Sequence, residues 1–509
     1  MASPNATPVP SRGAQYATLA AALLGWMFDG FEMGLFPLIG KPALKDLLGS
    51  GAEATVSDQW FGVIMAVFLV GAASGGVFFG WLGDKVGRVR AMSLSILTYA
   101  IFTGLCGFAT EAWHIAVLRF IASLGMGGEW SLGVALVNEI WPGKSRAFIA
   151  GLIGAASNVG FLMVALLSIG LTQVIGSVES TLLAIGVSEE MTDSLLRNSA
   201  WRFLMITGAF PALLIFFIRL FVPESAKWEE EHATGKTANW NNSDLIGVMI
   251  GCLAAIGIIF IWSPVAKDLP AILAFAVTLV GLGVALAGFL YPVRRYLSRT
   301  IAAGSLSPAD GSVVIWRMLF GATLAGIALL GTWGSIQWAP RWAGELQPDT
   351  VDQKYYAAAL TQIATATGAI ISTILAAMAA GRFGRRPTYA VLCLGSFVTA
   401  VFFYRFHDTF GPQFLMAAFL AGGMTAAFYG FFPLYFPELF PTAVRATGQG
   451  FAFNFGRILA AIGGLQTANL MGFFDNSFPK AGSLLAGIYL LGIFVIWLGP
   501  ETKGRELPN

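Results

Sequence analysis

The sequence predicts an all-helical protein embedded in a membrane, folded as two related six-helix bundles with an extra helical pair between them. Two observations predict this. Of 509 residues, 56% are hydrophobic and only 11% charged, against about 25% charged in ordinary soluble proteins, so most of the surface faces lipid. The chain also repeats itself. Glu139, Pro142 and Arg146 spell E-x-x-P-x-x-x-R, and Glu438, Pro441 and Arg445 spell it again 299 residues later. Gly87-Arg88 returns as Gly384-Arg385, and Pro223-Glu224-Ser225 as Pro500-Glu501-Thr502. Three matches in the same order, each between apolar runs, mean a duplicated bundle. That is the usual architecture of a secondary transporter.

Apolar runs able to cross a hydrocarbon core of about 30 Å set the elements in order. The first half has spans at 16–40, 59–83, 91–109, 113–138, 146–170 and 201–221. Two more follow at 245–264 and 270–292, then six at 313–340, 355–380, 387–407, 412–436, 445–468 and 482–499, fourteen in all. The expected organisation is a tail over 1–15, a bundle over 16–221, a linker over 222–312 holding the hairpin at about 245–292, a bundle over 313–499 and a tail over 500–509. Lys85, Arg88, Lys144, Arg146, Arg294, Arg385, Arg445 and Lys503 gather on one side, which the positive-inside bias makes cytoplasmic together with both termini. Residues 171–200 are expected as an outside loop, with room for a short amphipathic helix.

Composition removes other functions. A net charge of +2 gives no footprint for nucleic acid. Cys106, Cys252 and Cys393 fall in apolar runs and are expected as reduced core residues. His114, His232 and His407 are scattered, with no partner at metal-ligand spacing. No nucleophile elbow or phosphate loop occurs, so neither an enzyme nor a cofactor is expected. The start of the chain has no signal-peptide pattern. The expected state is a monomer in a bacterial inner membrane.

The stretch GWLGDKVGRVR (80–90) resembles the loop signature of the major facilitator superfamily. PESAKW (223–228) and PETKG (500–504) resemble its sugar-porter branch, and DGFE (29–32) its carboxylate-transporting branches. The run from Gly125 to Pro142 and that from Ala200 to Trp228 resemble bacterial sialate and lactate-type proton symporters, and the added hairpin is shared with sialic acid transporters of that group. The resemblance implies alternating access by two bundles with proton-coupled uptake of a small organic anion. Gly381 departs from it, standing where the loop signature has an aspartate. The alternatives are a neutral-sugar symporter or facilitator and a non-transporting nutrient receptor.

Ionisable residues inside membrane helices are costly and point to function. Asp29 and Glu32 lie one turn apart on helix 1, and Arg119 and Glu129 on helix 4. These four are the expected proton-coupling residues, and the resemblance implies a pair between Asp29 and Arg119. A fixed structural ion pair is the alternative. Adding twelve to each repeated arginine gives Asn158 and Arg457, both about 18 Å from the inner end. Arg457 is expected to hold a substrate carboxylate, or else to pair with a helix carboxylate. Gln337, Gln362, Tyr429 and Asn454 are expected to complete the site. Asp84, Arg88, Glu139, Arg146, Glu224, Glu438, Arg445 and Glu501 sit at cytoplasmic helix ends and are expected to pair across the halves as a gate.

Overall fold

A computed structural model describes residues 12–49, 51–140, 146–213, 224, 241, 243–266, 269–302, 304, 307–347, 351–441, 444–505 and 508. The expected linker over 222–240, apart from Glu224, and the end of the sixth span lie outside the described residues. So do the side chains of Asp84, Glu139 and Arg146.

The described residues form helices and turns with no strand. The first half contains α1 (Arg12–Leu48), α2 (Ala54–Val86), α3 (Arg88–Leu105), α4 (Ala112–Ile140), α5 (Arg146–Ala184) and α6 (Glu189–Thr207). A hairpin follows, α7 (Asp244–Ile261) and α8 (Ala271–Ala302). The second half holds α9 (Pro308–Gly334), α10 (Ala339–Glu345), α11 (Val351–Phe383), α12 (Arg385–Arg405), α13 (Pro412–Ala426), α14 (Phe428–Leu439), α15 (Arg445–Phe473), α16 (Phe478–Ala486) and α17 (Ile488–Val495). Eleven described spans are long and apolar enough to cross a membrane. α15 is not among them, because Gln449, Asn454, Arg457, Gln466 and Asn469 make it the polar helix of the second half.

Within the first half, α2 packs on α4 and α1 on α5; within the second, α9 packs on α15 and α11 on α13. The halves meet along two seams, α5 against α11 and α2 against α15. The hairpin rests over the second seam. It touches α2 and α15, with Phe289 and Phe455 rings edge to face at 6.3 Å. Its ends are fastened by the Asp244–Arg299 ion pair and by Trp262 Nε1 donating to Thr278 Oγ1 at 2.8 Å.

The segment 171–200 differs from the expected loop. α5 continues as helix to Ala184, and a second helix starts at Glu189, with the Ser188 hydroxyl accepting from the Met191 amide. That helix breaks at 197–200, where Asn198, Ser199 and Ala200 take positive φ. Asp46, near the end of α1, holds the break. It accepts from Asn198 Nδ2 at 2.8 Å, Trp201 Nε1 at 3.2 Å and Arg202 Nη2 at 3.0 Å, and pairs with Arg197 at 3.2 Å. A buried carboxylate with that many donors is well compensated for its lost hydration.

Candidate functional site: a charged seam between the halves

Asp29 and Glu32 are both buried on α1. Glu32 meets Arg119 of α4 at 3.1 Å and accepts from Thr103 Oγ1 of α3 at 3.0 Å. The Arg119 guanidinium lies 4.6 Å from the Phe68 ring centre and 5.3 Å from that of Phe36. The pair between helices 1 and 4 is therefore made by Glu32, one turn away from the Asp29 that the resemblance implied. Asp29 is turned to other groups. Its side chain meets Glu129 of α4 and feels the charge of Arg457 from the opposite half. Glu129 fits because α1 carries Gly25 beside it, where an added methyl would overlap the carboxylate. Both Glu129 oxygens and Asp29 Oδ1 are buried with no geometrically formed hydrogen bond among the described residues, and the Tyr99 hydroxyl lies beside Glu129.

Arg457 is 7% exposed. Its Nη1 donates to Asn454 Oδ1 at 3.2 Å and to the Ala72 carbonyl of the first half at 3.4 Å. The Phe453 ring centre lies 4.8 Å from it. Asn454 is itself wedged against Gly76 of α2, where any side chain would collide with it. α15 thus presents its arginine at the seam through an amide that touches the other half.

Two adjoining cavities lie on the seam. One is lined by Trp26, Asp29, Met126, Phe453 and Arg457, the other by Asn158, Gln337, Gln362, Thr332 and Thr365. Met33, Ser157, Trp333 and Tyr429 line both. Trp333 Nε1 donates to the Tyr429 hydroxyl at 3.2 Å, so the dividing wall is tied together. Asn158 lies in the second cavity, its amide nitrogen donating to the Gly154 carbonyl of its own helix at 2.8 Å; it does not line the Arg457 cavity. Gln362 stitches the halves by donating to the Phe161 and Gly34 carbonyls at 3.0 and 3.3 Å. Each cavity has about 40 Å³ free, enough for a water or two. Among the described residues, the seam therefore leaves little free space around Arg457 and Asp29.

The repeated motifs dock on one another inside each half. Glu224 accepts from the Arg88 and Val89 amides at 2.8 and 3.1 Å. In the second half Glu501 accepts from the Arg385 and Arg386 amides at 3.0 Å each. Each carboxylate caps the first turn of a helix that follows a glycine of positive φ, 105° at Gly87 and 110° at Gly384. Burial pushes the Glu501 carboxyl up, but amide donors from Arg385, Arg386, Lys503 and Thr502 outweigh it and hold the group below its ordinary range. Arg385 forks onto Glu438 at 2.9 and 2.6 Å, and Thr502 Oγ1 donates to the same carboxylate at 2.6 Å. Arg445 donates to the Pro437 and Pro508 carbonyls at 3.1 and 2.6 Å. These contacts each join residues of one half, whereas the motif spacing suggested pairing across the halves.

Arg385, Trp333 and Ser157 belong to these networks and cavities, and the sequence assigns none of them to the site. Arg385 had a signal, its place in the second glycine-arginine repeat. Trp333 and Ser157 had none, since an apolar helix offers many tryptophans and serines and only packing selects these.

The profile of the sugar (and other) transporter family matches residues 14–246 and 349–509. A putative metabolite transport protein of Haemophilus influenzae is 25% identical over 97% of this chain and 98% of its own length. The cis,cis-muconate transport protein of Acinetobacter baylyi is 26% identical over 87% and 84%. Among solved structures, the major facilitator proton:xylose symporter XylE bound to 6-bromo-6-deoxy-D-glucose overlays with a TM-score of 0.64. It is 18% identical over 97% of this chain and 98% of that one, which establishes a shared fold.

Proposed function

This chain belongs to the sugar (and other) transporter family of the major facilitator superfamily, and from that premise we propose that it imports a small organic anion together with protons by alternating access. That it is a multi-pass membrane transporter of small organic substrates follows from the family itself. The finer reading rests on one observation: Arg457 and Asp29 face the same cavity from opposite halves.

The coupling logic is competition. With Asp29 ionised, Arg457 has a carboxylate inside the protein. A proton on Asp29, shared with Glu129 beside it, removes that partner and leaves the guanidinium fork for a substrate carboxylate. Anion and proton then enter together and leave together. Glu32 and Arg119 hold α1 on α4 while this happens. The second cavity adds amides and hydroxyls from Asn158, Gln337, Gln362 and Thr332, suited to the hydroxylated body of an acid such as a sialic acid. The same lining favours the second reading, a neutral sugar without any role for Arg457. The muconate relative carries an acid, which supports the first. The family and the positive-inside bias support a bacterial inner membrane with both termini in the cytoplasm, and we read the protein as a working monomer.

The capped ends around Glu224, Glu438, Arg445 and Glu501 serve each half as a rigid cytoplasmic rim. Asp84, Arg88, Glu139 and Arg146 belong to the same rim by the repeat. The halves close against each other along that rim when the site faces outward. The test of substrate class is a thermal-shift screen of the purified protein against monocarboxylates, sialic acids and neutral sugars. Stabilisation by acids alone fits the proposal, and stabilisation by neutral sugars alone overturns it.

A further inference from the structure

A larger space opens at the end of the molecule opposite the repeated motifs. It has about 450 Å³ free, within the range of small-molecule sites and over ten times either central cavity. Lys41, Lys45 and Arg341 line it together with Asp58, Glu345 and Trp342. The lining charges sum to one net positive. Two ion pairs cross it, Lys41 with Glu345 and Asp58 with Arg341. Lys41 and Asp58 belong to the first half, Arg341 and Glu345 to the second, so both pairs lock the halves together.

Arg341 is 6% exposed, and its Nε and Nη1 have no hydrogen-bond partner among the described residues. A buried guanidinium satisfied on one nitrogen costs free energy unless something fills the rest of the fork. Asp58 engages Nη2 alone. Nε and Nη1 lie on different edges of the guanidinium, and each edge also contains the Nη2 that Asp58 holds, so a carboxylate that pairs with either edge competes with Asp58, with Lys41 or Lys45 as a second cation.

We propose that this outer vestibule is a second, recruiting site for the carboxylate of the substrate, and that a carboxylate bound to Arg341 displaces Asp58 and so unlocks the halves at that end. The site is separate from the central one, and its assignment to the transported anion rests on the anion reading above. Occupancy weakens a bond between the halves, so the ligand favours the state that admits it. The vestibule then concentrates the anion at the mouth and opens the way to Arg457 in one step.

The probe is 4-fluorobenzoate, with 4-fluorobenzamide as its neutral match, read by fluorine saturation-transfer NMR on the protein in nanodiscs. Arg457→Gln is the background, which removes the proposed central anion site. The vestibule predicts a bound signal for the acid and none for the amide. Asp58→Asn removes the internal competitor and should tighten binding, a gain that a damaged fold does not produce. Arg341→Gln combined with Asp58→Asn removes both partners of the pair and should weaken binding about tenfold or more, the loss of a charge-assisted hydrogen bond. Equal signals from acid and amide, or binding insensitive to both Asp58 and Arg341, overturn the vestibule. Neither result bears on the central site, which is decided in the chain with Arg457 intact.

Discussion

An arginine held at mid-membrane needs an anion, and Arg457 has two available, Asp29 and a substrate. If the substrate uses the planar fork, Arg457→Lys keeps the charge and loses one hydrogen bond, so acid binding should weaken about tenfold in a titration. Arg457→Gln should bind the same acid at least a hundredfold more weakly; binding equal to the parent would transfer the protein to the neutral-sugar reading. Asp29→Asn removes the titrating group and leaves the cavity shape. Proteoliposomes carrying it should exchange labelled acid for unlabelled acid and fail to accumulate it against a gradient. Undiminished uphill uptake would move the proton to Glu129. The pair that sequence placed between Asp29 and Arg119 shows how far residue-level reading goes. Asp29 and Glu32 lie three positions apart and so share roughly one face of α1. Which of the two meets Arg119 depends on the small rotation of α1 against α4, set by packing such as Glu129 in the space beside Gly25.

At the scale of elements, the repeated glycine and glutamate act as one device. Gly384 has φ 110° and ψ 161°, a region open in practice to glycine, and an added methyl would also press on Glu501. Gly384→Ala should cost about 1–3 kcal/mol by strain alone and lower the unfolding temperature of the purified protein. Gly87→Ala should do the same in the first half. The Glu501 cap carries a pH signature. Its carboxyl titrates below the ordinary range in the folded chain, so its stabilising effect is complete above about pH 5 and fades as pH falls toward and through the lowered value. The melting-temperature gap between parent and Glu501→Gln should be widest near neutrality and shrink in acid. A gap that widens in acid would mean the carboxylate is not the capping species. The sequence made the three repeated motifs legible, because a duplication leaves identical strings. It did not show that two of them bind each other within a half, since Glu501 reaches the Arg385 amide across 116 residues of chain. The break at 197–200 was hidden for the same reason: its donors converge on Asp46, 152 residues from Asn198.

For the whole molecule, apolar spans and internal repetition were enough to read an all-helical transporter in two halves, because lipid demands helices of a set length and low charge. The two narrow central cavities and the lock between Asp58 and Arg341 depend on how the halves meet, and no local pattern encodes that. The account's central claim is that the Asp29 carboxylate and the substrate anion compete for Arg457, so that a proton on Asp29 admits the anion and the two travel together. The measurement that tests it most directly is internal pH in proteoliposomes with the dye inside, on adding the best-binding acid from the thermal screen with no gradient imposed. The parent should acidify the lumen in step with uptake of the labelled acid, while Arg457→Gln vesicles and protein-free vesicles do neither beyond slow leakage. Uptake of the acid by the parent without any acidification, or equal uptake of a neutral sugar through Arg457→Gln, would contradict it.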